Sequence, residues 1–574
     1  MPEVITEMIL PDTYIEVRPE ALISVPPIAT GRIAVCGTAA RGPAGVAVSL
    51  GSFSQAKEVF GNYDAWVDGA SDELTLVRAL ELMFNNGATD VLAVRVAAGP
   101  VVPSQAVLND AATPPVAQTR LLARDPGSWA DGATADVRRE SLRRVQVAAV
   151  LIGEGNGFNT GHTQLQLADA DLVRRGLATG GLGPGDVTVE NRTTGEAYTF
   201  RAAAADRTTR TDFTVDQASG RLTFGAAQTA EHTLRVTYFR TSTRVTLTLP
   251  TGEQEVYADV ASGQALSDAV DANAGSLFRA EPATTTPSTI PLATGTFAFG
   301  GGANGAAAGS VDYGDALALF EREAANIVVL AGQTLSDAAD VLAGHLDGME
   351  NQGKERLGII GAGLGADRAA LLNDANTVAN DRIVFVAPGV RAVDAAASQA
   401  QRRRVVVTLP GAYTAAAVAG LIAGLAPHVS PTSKTVNVAG LEAQFLRNEL
   451  KDLVQNRVLA LEVKTGIRVV RGITTDPGPF AQITTRRIVD FAKEGIRRGS
   501  LPFIGRLNNE RVRKALRGTL DGFLVSMVLA EMLTGYTLDV TAARADEIAG
   551  RALVTVFLRP TFSIDFIRVT MYLE

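Results

Sequence analysis

The 574-residue sequence contains one cysteine, four histidines and few aromatic residues. The single cysteine, Cys36, excludes an internal disulfide bond and a thiolate metal cluster, which suits a reducing cytosol. Because Cys36 lies in the apolar run 33–36, we expect its thiol to be buried. The histidines are scattered and lack the spacing of a metal site: His162, His232, His345 and His428. The sequence therefore predicts neither a bound metal nor a cofactor.

Long apolar runs and basic clusters are also missing. No run of about 18 apolar residues occurs, so we expect no membrane-spanning helix. The first ten residues carry Glu3 and Glu7 and no apolar core segment, so we expect no signal peptide. The net charge of −8 and the absence of a basic block make nucleic acid a poor candidate partner.

The glycine-rich loop at 361–366 is the strongest candidate for an enzyme site. It follows a predicted strand and opens a predicted helix, as in dinucleotide-binding folds. Those folds also need a carboxylate at the end of the next strand, yet 385–389 contains none and Asp381 precedes that strand. We interpret the loop as a plain strand-to-helix turn. The alternative, a Rossmann-type enzyme, predicts that a nucleotide co-purifies with the protein.

A serine-protease-like triad is a weaker candidate. His345, Asp347 and Ser430 supply the residue types, but no nucleophile elbow accompanies them. His345 is expected on a helix surface. We therefore expect no enzymatic activity.

The rest of the sequence predicts a multidomain α/β and α+β protein. A hydrophobic fraction of 46% supports several cores, and 56 glycines indicate many turns. We expect an N-terminal arm at 1–27, an α/β unit at 28–98, a β-rich region at 118–300 interrupted by an inserted β-domain at 165–242, a mostly parallel α/β domain at 310–430, a C-terminal domain at 431–558 and a C-terminal arm at 559–574.

Helical and strand periodicities alternate in the α/β parts, which indicates a mostly parallel sheet covered on both faces. The predicted strands there are 33–36, 91–96, 327–330, 356–360, 382–386 and 405–409, and the predicted helices are 54–60, 73–85, 312–322, 335–349, 367–379 and 413–425. Later helices are expected at 447–455, 485–498 and 508–533, and strands at 458–463, 467–473 and 552–558. The inserted domain shows five short strands at 187–191, 195–200, 212–215, 221–224 and 233–239.

Residues 561–574 have the period of two that is typical of a strand. The apolar residues change face halfway, so the strand must kink or bulge: Phe562, Ile564 and Phe566 lie on one face, and Ile567, Val569, Met571 and Leu573 on the other. Two interpretations stay open. The segment is either the last strand of its own sheet or a strand donated to a neighbouring subunit.

The N-terminal segment is a second β-prone arm. Tyr14, Ile15 and Val17 form a short extended piece between Pro11 and Pro19, and proline excludes a helix there. Two such arms at opposite ends of a large chain indicate an assembly subunit.

Several motifs, in order along the chain, resemble the contractile tail sheath family of phages and related injection systems. They are PDTYIEV at 11–17, VCGTAARGP at 35–43, DPGSWADG at 125–132, GGGANG at 300–305 and LPFIG at 501–505. Residues 53–61, 79–88 and 91–96 follow the family pattern between the second and third motifs, and only 165–242 is spared. Asp12 and the 128–131 segment depart from that pattern.

The resemblance implies a non-enzymatic structural protein. The resemblance implies that the subunits form hexameric rings stacked around an inner tube. It also implies that the sheath shortens and drives the tube through a target envelope. The implied partners are other copies of the chain, the inner tail tube protein, the baseplate and the tail terminator or cap proteins. The implied location is a virion tail, or the bacterial cytoplasm for an assembled injection particle. The resemblance also implies a middle domain that is subtilisin-like in shape only, and arms that exchange strands between subunits.

The helix expected at 508–533 offers a tube contact under this resemblance. Its apolar stripe consists of Val512, Leu516, Leu520, Phe523 and Met527, and Arg513, Lys514 and Arg517 gather on the other side. These cations are either a solvated face, balanced by Glu510 and Asp521, or the contact to an acidic patch on the tube. An alternative function, a surface protein that binds carbohydrate or a receptor, follows from the inserted β-domain alone.

Overall fold

A computed structural model describes residue 26 and residues 28–67, 74–151, 156–284 and 290–572. The chain forms two compact units. One consists of Met1–Val101 and Asn304–Glu574, and the other of Val102–Ala303. The described part of the chain contains no helix long and apolar enough to cross a membrane.

The N-terminal part of the first unit is an α/β arrangement, as predicted. Its elements are β1 (Ile33–Thr38), β2 (Ala47–Leu50), α1 (Phe53–Phe60), α2 (Thr75–Asn85) and β3 (Val91–Val96). The Ser52 side chain caps α1 by accepting a hydrogen bond from the Gln55 N–H, which satisfies one free donor of the first turn.

Among its described residues, most of the regular elements of the second unit are strands. They are β4 (Gln105–Asn109), β5 (Ala117–Ala123), β6 (Thr134–Ala149), β7 (Gln164–Gln166), β8 (Thr188–Asn191), β9 (Thr199–Phe200), β10 (Asp212–Asp216), β11 (Arg221–Phe224), β12 (Thr233–Thr248), β13 (Gln254–Tyr257), β14 (Phe278–Pro282) and β15 (Gly295–Ala298), with one helix, α3 (Gly263–Ala272). Four of the five short strands predicted between 187 and 239 are observed as β8 to β11, and the fifth is the first part of β12, which continues to Thr248.

Strands β6 and β12 form a ribbon that passes through the whole second unit. They pair antiparallel over 16 residues each. At one end Val137 and Val245 belong to one hydrophobic core, and at the other end Ala148 and Val236 belong to a separate core. Since side chains alternate between faces, odd-numbered positions face the first core and even-numbered ones the second. Residue 242, the expected limit of the inserted domain, lies within β12.

The rest of the first unit alternates helices and strands before ending in two long helices. Its elements are α4 (Ser310–Ala318), β16 (Ile327–Thr334), α5 (Leu335–Asn351), β17 (Leu357–Gly361), α6 (Arg368–Thr377), β18 (Ile383–Ala387), β19 (Val390–Val393), α7 (Ala395–Gln401), β20 (Val406–Leu409), α8 (Gly411–Ala423), β21 (Gly440–Leu441), α9 (Arg447–Gln455), β22 (Val458–Lys464), β23 (Gly466–Val469), α10 (Ile483–Ser500), α11 (Glu510–Leu529), β24 (Leu533–Thr541), α12 (Arg544–Ile548) and β25 (Leu553–Pro560).

An eight-stranded sheet organises the first unit, in the order β2-β3-β1-β16-β17-β18-β22-β23. All neighbours are parallel except the two edge pairs, β2–β3 and β22–β23. One face carries a core that includes residues of α2 and α8, and the other a core that includes residues of α4, α5, α6 and α9. The expected mostly parallel sheet with helices on both faces is confirmed, and it joins strands from three of the expected units. Cys36 is fully buried in the second core, as predicted.

The strand predicted at 405–409 lies outside this sheet. As β20, it pairs antiparallel with β19, which also pairs with β21. The reason is that β22 takes the place beside β18 in the large sheet, while β20 pairs along all four of its residues with β19, a strand that the prediction overlooked. The expected membership of the large sheet is therefore wrong for this strand.

The helix predicted at 508–533 ends earlier. It stops at Leu529, Glu531 adopts a left-handed φ of 60°, and strand β24 begins at Leu533. The alternation of Tyr536, Leu538 and Val540 is the strand signal that the helical interpretation overlooked. The predicted apolar stripe of this helix is confirmed, since Leu516, Leu520, Phe523 and Met527 are buried.

Candidate functional site

The glycine-rich loop at 361–366 is occupied by a carboxylate of the same chain. Glu442, next to β21, accepts hydrogen bonds from the backbone N–H of Gly365 and, at 2.9 Å, from that of Gly389. The two glycines follow β17 and β18 at the carboxyl ends of adjacent parallel strands, where α/β proteins bind phosphate. The Glu442 carboxylate therefore occupies the position where such folds bind a phosphate, and its hydrogen bonds stabilise the loop as a turn.

The residues of the imagined triad make other contacts. The Nε2 atom of His345 lies 2.9 Å from Nη1 of Arg356, and the Ser430 hydroxyl donates to the Thr432 hydroxyl oxygen at 2.9 Å. His345 is half-buried beside this guanidinium instead of lying on a helix surface as predicted. Burial, with the charge of Arg356 as a second cause, lowers the pKa of His345 to about 4. Among the described residues, no group of three or more His, Cys, Asp and Glu side chains is placed to hold a metal ion.

The C-terminal tail is the most exposed apolar surface of the first unit. Residues 561–572 are not part of any strand of the described chain. Its apolar side chains are largely in solvent: Phe562 63%, Ile564 81%, Phe566 80%, Ile567 83%, Val569 73% and Met571 86% exposed. A monomeric protein rarely exposes so continuous an apolar segment without a partner for it. Leu573 lies outside the described residues.

The polar face of the tail is fixed to the protein. The Asp565 side chain is 6% exposed and lies 2.8 Å from Nε of Arg471. It also accepts hydrogen bonds from Nε2 of Gln482 at 3.1 Å and from the Thr432 hydroxyl at 3.4 Å. The Arg471 guanidinium stands 5.5 Å from the ring centre of Phe566. Asp565 therefore holds the polar face of residues 561–565 inward and turns Phe562, Ile564 and Phe566 outward. Sequence reasoning missed this contact because its residues are far apart in the chain.

The terminal hairpin β24–β25 lies just before the tail. Its inner face packs on α10 and α11 through Leu538, Val556 and Leu558, while Phe557 on the outer face is 69% exposed. Within the described part of the chain, each of the two strands pairs only with the other. Both outer edges therefore present rows of backbone N–H and C=O groups that can accept a further strand.

The N-terminal residues expected to exchange strands, Tyr14, Ile15 and Val17, lie outside the described residues. Strand exchange by either arm stays a prediction. For the C-terminal residues, the structure shows their exposure and the direction in which they face.

The three cations expected to contact a tube occupy different surroundings. Lys514 and Arg517 lie on the exposed face of α11, where Lys514 pairs with Glu510 at 2.8 Å. Arg513 turns away, toward α12, and binds Glu547 at 3.1 Å and Asn508 at 2.9 Å. Arg511 shares the exposed face instead, and its spacing of three residues from Lys514 was the available signal.

Two family models match adjoining parts of the chain. Residues 306–475 match the central domain of the phage tail sheath protein, and residues 475–574 match the phage tail sheath C-terminal domain. The predicted resemblance to tail sheath proteins is confirmed for this part of the chain.

Individual relatives agree with the family models. A tail sheath protein of Bacillus phage SP01 is 26% identical over 233 residues, a stretch that covers 39% of this chain and 39% of the relative. The solved sheath tail protein of Desulfitobacterium hafniense has a TM-score of 0.52 at 13% identity, covering 96% of this chain and 100% of that one. A sheath tail protein of Listeria innocua has a TM-score of 0.52 at 12% identity, covering 94% and 97%. At these identities the solved structures establish the fold alone.

Proposed function

We propose that this chain, whose residues 306–574 carry the central and C-terminal domains of tail sheath proteins, is the structural subunit of a contractile sheath. Its copies polymerise around an inner tube, and shortening of the polymer drives the tube through a target cell envelope. The observation that carries the proposal is the exposed apolar tail, which leaves the protein beside a hairpin whose outer edges pair with no other described strand.

The tail has the chemistry of a donated strand. From Ile567 to Leu573 the sequence alternates apolar and polar residues, which suits pairing along one edge with one face buried. Seven residues in extended conformation reach roughly 23 Å. The tail is therefore long enough to lie along the terminal hairpin of a neighbouring copy.

Donated strands also suit a polymer that changes length. Main-chain hydrogen bonds and buried apolar side chains tether the subunits, while their globular parts slide and repack. Contraction then releases the free-energy difference between two packings of one set of subunits. In this proposal the middle domain resembles subtilisin in shape only, and it supplies rigid surfaces.

The proposed partners follow from this role. Neighbouring copies bind through the arms, the inner tube protein binds the exposed cations of α11, and baseplate and cap proteins bind the two ends of the polymer. The assembled particle is a virion tail or an injection particle that forms in the bacterial cytoplasm.

Electron microscopy of the purified full-length chain tests the proposal. We expect the full chain to form tubes, and a variant that ends at Phe566 to stay dispersed. Because residues 567–572 are exposed and the contacts of Asp565 are kept, the truncation should leave the melting temperature of the dispersed protein nearly unchanged.

The matched control is Arg568→Gln, which alters an exposed polar residue of the tail without shortening it. We expect it to form tubes. Equal tube formation by the truncated chain would refute the role of the tail. A full-length chain that stays small and binds a carbohydrate or receptor would favour the alternative function.

A further inference from the structure

The N-terminal arm is fastened where the described chain begins. The Arg487 side chain, 9% exposed, donates hydrogen bonds to the backbone carbonyls of Leu425 at 2.9 Å and Ala426 at 3.3 Å, just after α8, and of Thr30 at 3.1 Å. Arg487 therefore ties the chain before β1 to the end of α8.

The neighbours of Thr30 restrict the same segment. A Cβ atom on Gly31 would overlap the Ala423 carbonyl, so the backbone passes directly against α8. The Ile28 side chain packs on the core formed by α10, α11 and the terminal hairpin. The root of the N-terminal arm thus rests on the core that supports the hairpin.

The C-terminal arm is fastened at the start of the same helix. Gln482, the residue that precedes α10, donates to Asp565 and accepts from the Ser563 N–H at 3.4 Å. Arg487 is the fifth residue of α10. Side chains at the beginning of one helix therefore hold the roots of both arms, residues 28–31 and 563–565.

We propose that the N-terminal end of α10 is a shared anchor for the roots of the two arms, with Gln482 and Arg487 as positioning residues that hold residues 28–31 and 563–565 in place. This inference rests on the proposed function, since the partners that it concerns are neighbouring copies of the chain.

A shared anchor has a mechanical consequence. A pull on either arm reaches the same helix end, which belongs to a long helix packed on α11. The contacts that the two arms make with different neighbouring copies then move together with α10. An arm whose root is already held in place loses less conformational freedom when it binds, which favours polymerisation.

Spin labels on the two arms test the anchor in the dispersed full-length protein. Ile564→Cys and Ala29→Cys provide the labelling sites, since both positions are exposed beside the contacts under test, and the buried Cys36 is protected from reaction. We expect Gln482→Ala and Asp565→Asn to increase the mobile fraction of the label at 564 roughly tenfold, because each removes hydrogen bonds to a charged group. Arg487→Gln should increase the mobile fraction of the label at 29 similarly.

Arg497→Gln is the control on the same helix, because Arg497 binds Glu355 and Glu494 and neither arm root. It should leave both labels unchanged. Arg487→Lys and thermal melting distinguish a freed arm from an unfolded chain, since the lysine keeps the charge and part of the carbonyl contact. Unchanged spectra for Gln482→Ala or Arg487→Gln in a folded protein would overturn the shared anchor.

The amount of sedimented tubes gives the second readout. We expect each root variant to form at least about tenfold fewer tubes at a fixed protein concentration. If the unmodified chain forms no tubes, the proposed function fails, yet the label spectra still decide whether the anchor exists. If the labels become mobile while tube formation is unchanged, the anchor does not govern polymerisation and that part of the inference is wrong.

Discussion

Arg382 binds Asp490 through two hydrogen bonds, Nη1 to Oδ2 at 2.9 Å and Nη2 to Oδ1 at 3.1 Å. Arg382 lies in the part of the chain that matches the central domain of tail sheath proteins, and Asp490 in the part that matches their C-terminal domain. The same fully buried guanidinium also binds both carboxylate oxygens of Glu350, at 2.7 and 2.8 Å. These hydrogen bonds, with a further one from Lys493, hold the pKa of Glu350 well below its usual range. One ionic cluster therefore joins the two parts of the chain that match the family models.

Arg382→Gln should destabilise the protein by at most about 3–5 kcal/mol, because it removes a buried guanidinium that binds two carboxylates, while Asp490 keeps Arg486 and Glu350 keeps Lys493. Denaturant unfolding of the dispersed protein measures the loss. Arg368→Gln is the control, since its ion pair with Asp452 is partly exposed and should cost less than about 1 kcal/mol. Similar losses for both variants would contradict the ionic fastening.

Acid should weaken the central domain through His345. Its pKa is lowered to about 4 in the folded state, against about 6.5 when unfolded. Between these values the unfolded chain binds more protons, so stability is complete above pH 6.5 and falls as the pH drops toward 4. The loss is at most about 3 kcal/mol. His345→Gln removes this titration and keeps an acceptor for Arg356, so its melting temperature should depend less on pH over that window. An identical pH dependence for the two proteins would contradict the assignment.

The contact between α10 and α11 depends on a glycine. A Cβ atom on Gly495 would overlap the Phe523 ring, which is itself stacked on Phe491. Gly495→Ala should therefore cost about 1–3 kcal/mol, measured by the urea midpoint. Gly518→Ala on α11 is the matched control, because its Cβ would meet nothing and should stabilise the helix by about 0.5–1 kcal/mol. Equal effects at both positions would refute the packing argument.

Charge reversal on α11 should separate tube attachment from folding. Lys514→Glu with Arg517→Glu changes only exposed positions and should leave the melting temperature nearly unchanged while weakening association with the tube. Arg513→Glu places a second carboxylate beside Glu547 and should lower the melting temperature. Co-sedimentation of sheath and tube measures attachment. Normal attachment by the double variant would rule out the proposed contact.

Local patterns predicted most of the secondary structure because they depend on neighbouring residues. Strand β3 and helix α9 have the predicted bounds, and the stripe of α11 was read from a spacing of three and four residues. The helix-to-strand change after Leu529 was missed because leucine, alanine, glutamate and methionine favour helix, so local propensity concealed the turn at Glu531.

The candidate site was predictable only in part. The period of two identified Phe562 and Ile564 as a strand-like face, but it left open whether that face is covered by the same chain. The sequence groups Arg513 with Lys514 because charge alone does not show where a side chain points. In the structure the Arg513 side chain points toward Glu547. The Glu442 carboxylate lies 77 residues from the loop that it fills, so no local motif announced it.

The sequence by itself determined the periodicity of helices and strands, the apolar alternation of the tail and the resemblance to sheath proteins, because these properties reside in consecutive residues. Only the tertiary structure decided that Asp565 meets Arg471, that Arg487 meets Thr30, and that β20 leaves the large sheet. Such contacts join segments that are far apart in the chain. They depend on which surfaces the packed cores bring together, a choice made by the sum of many weak interactions rather than by any single motif.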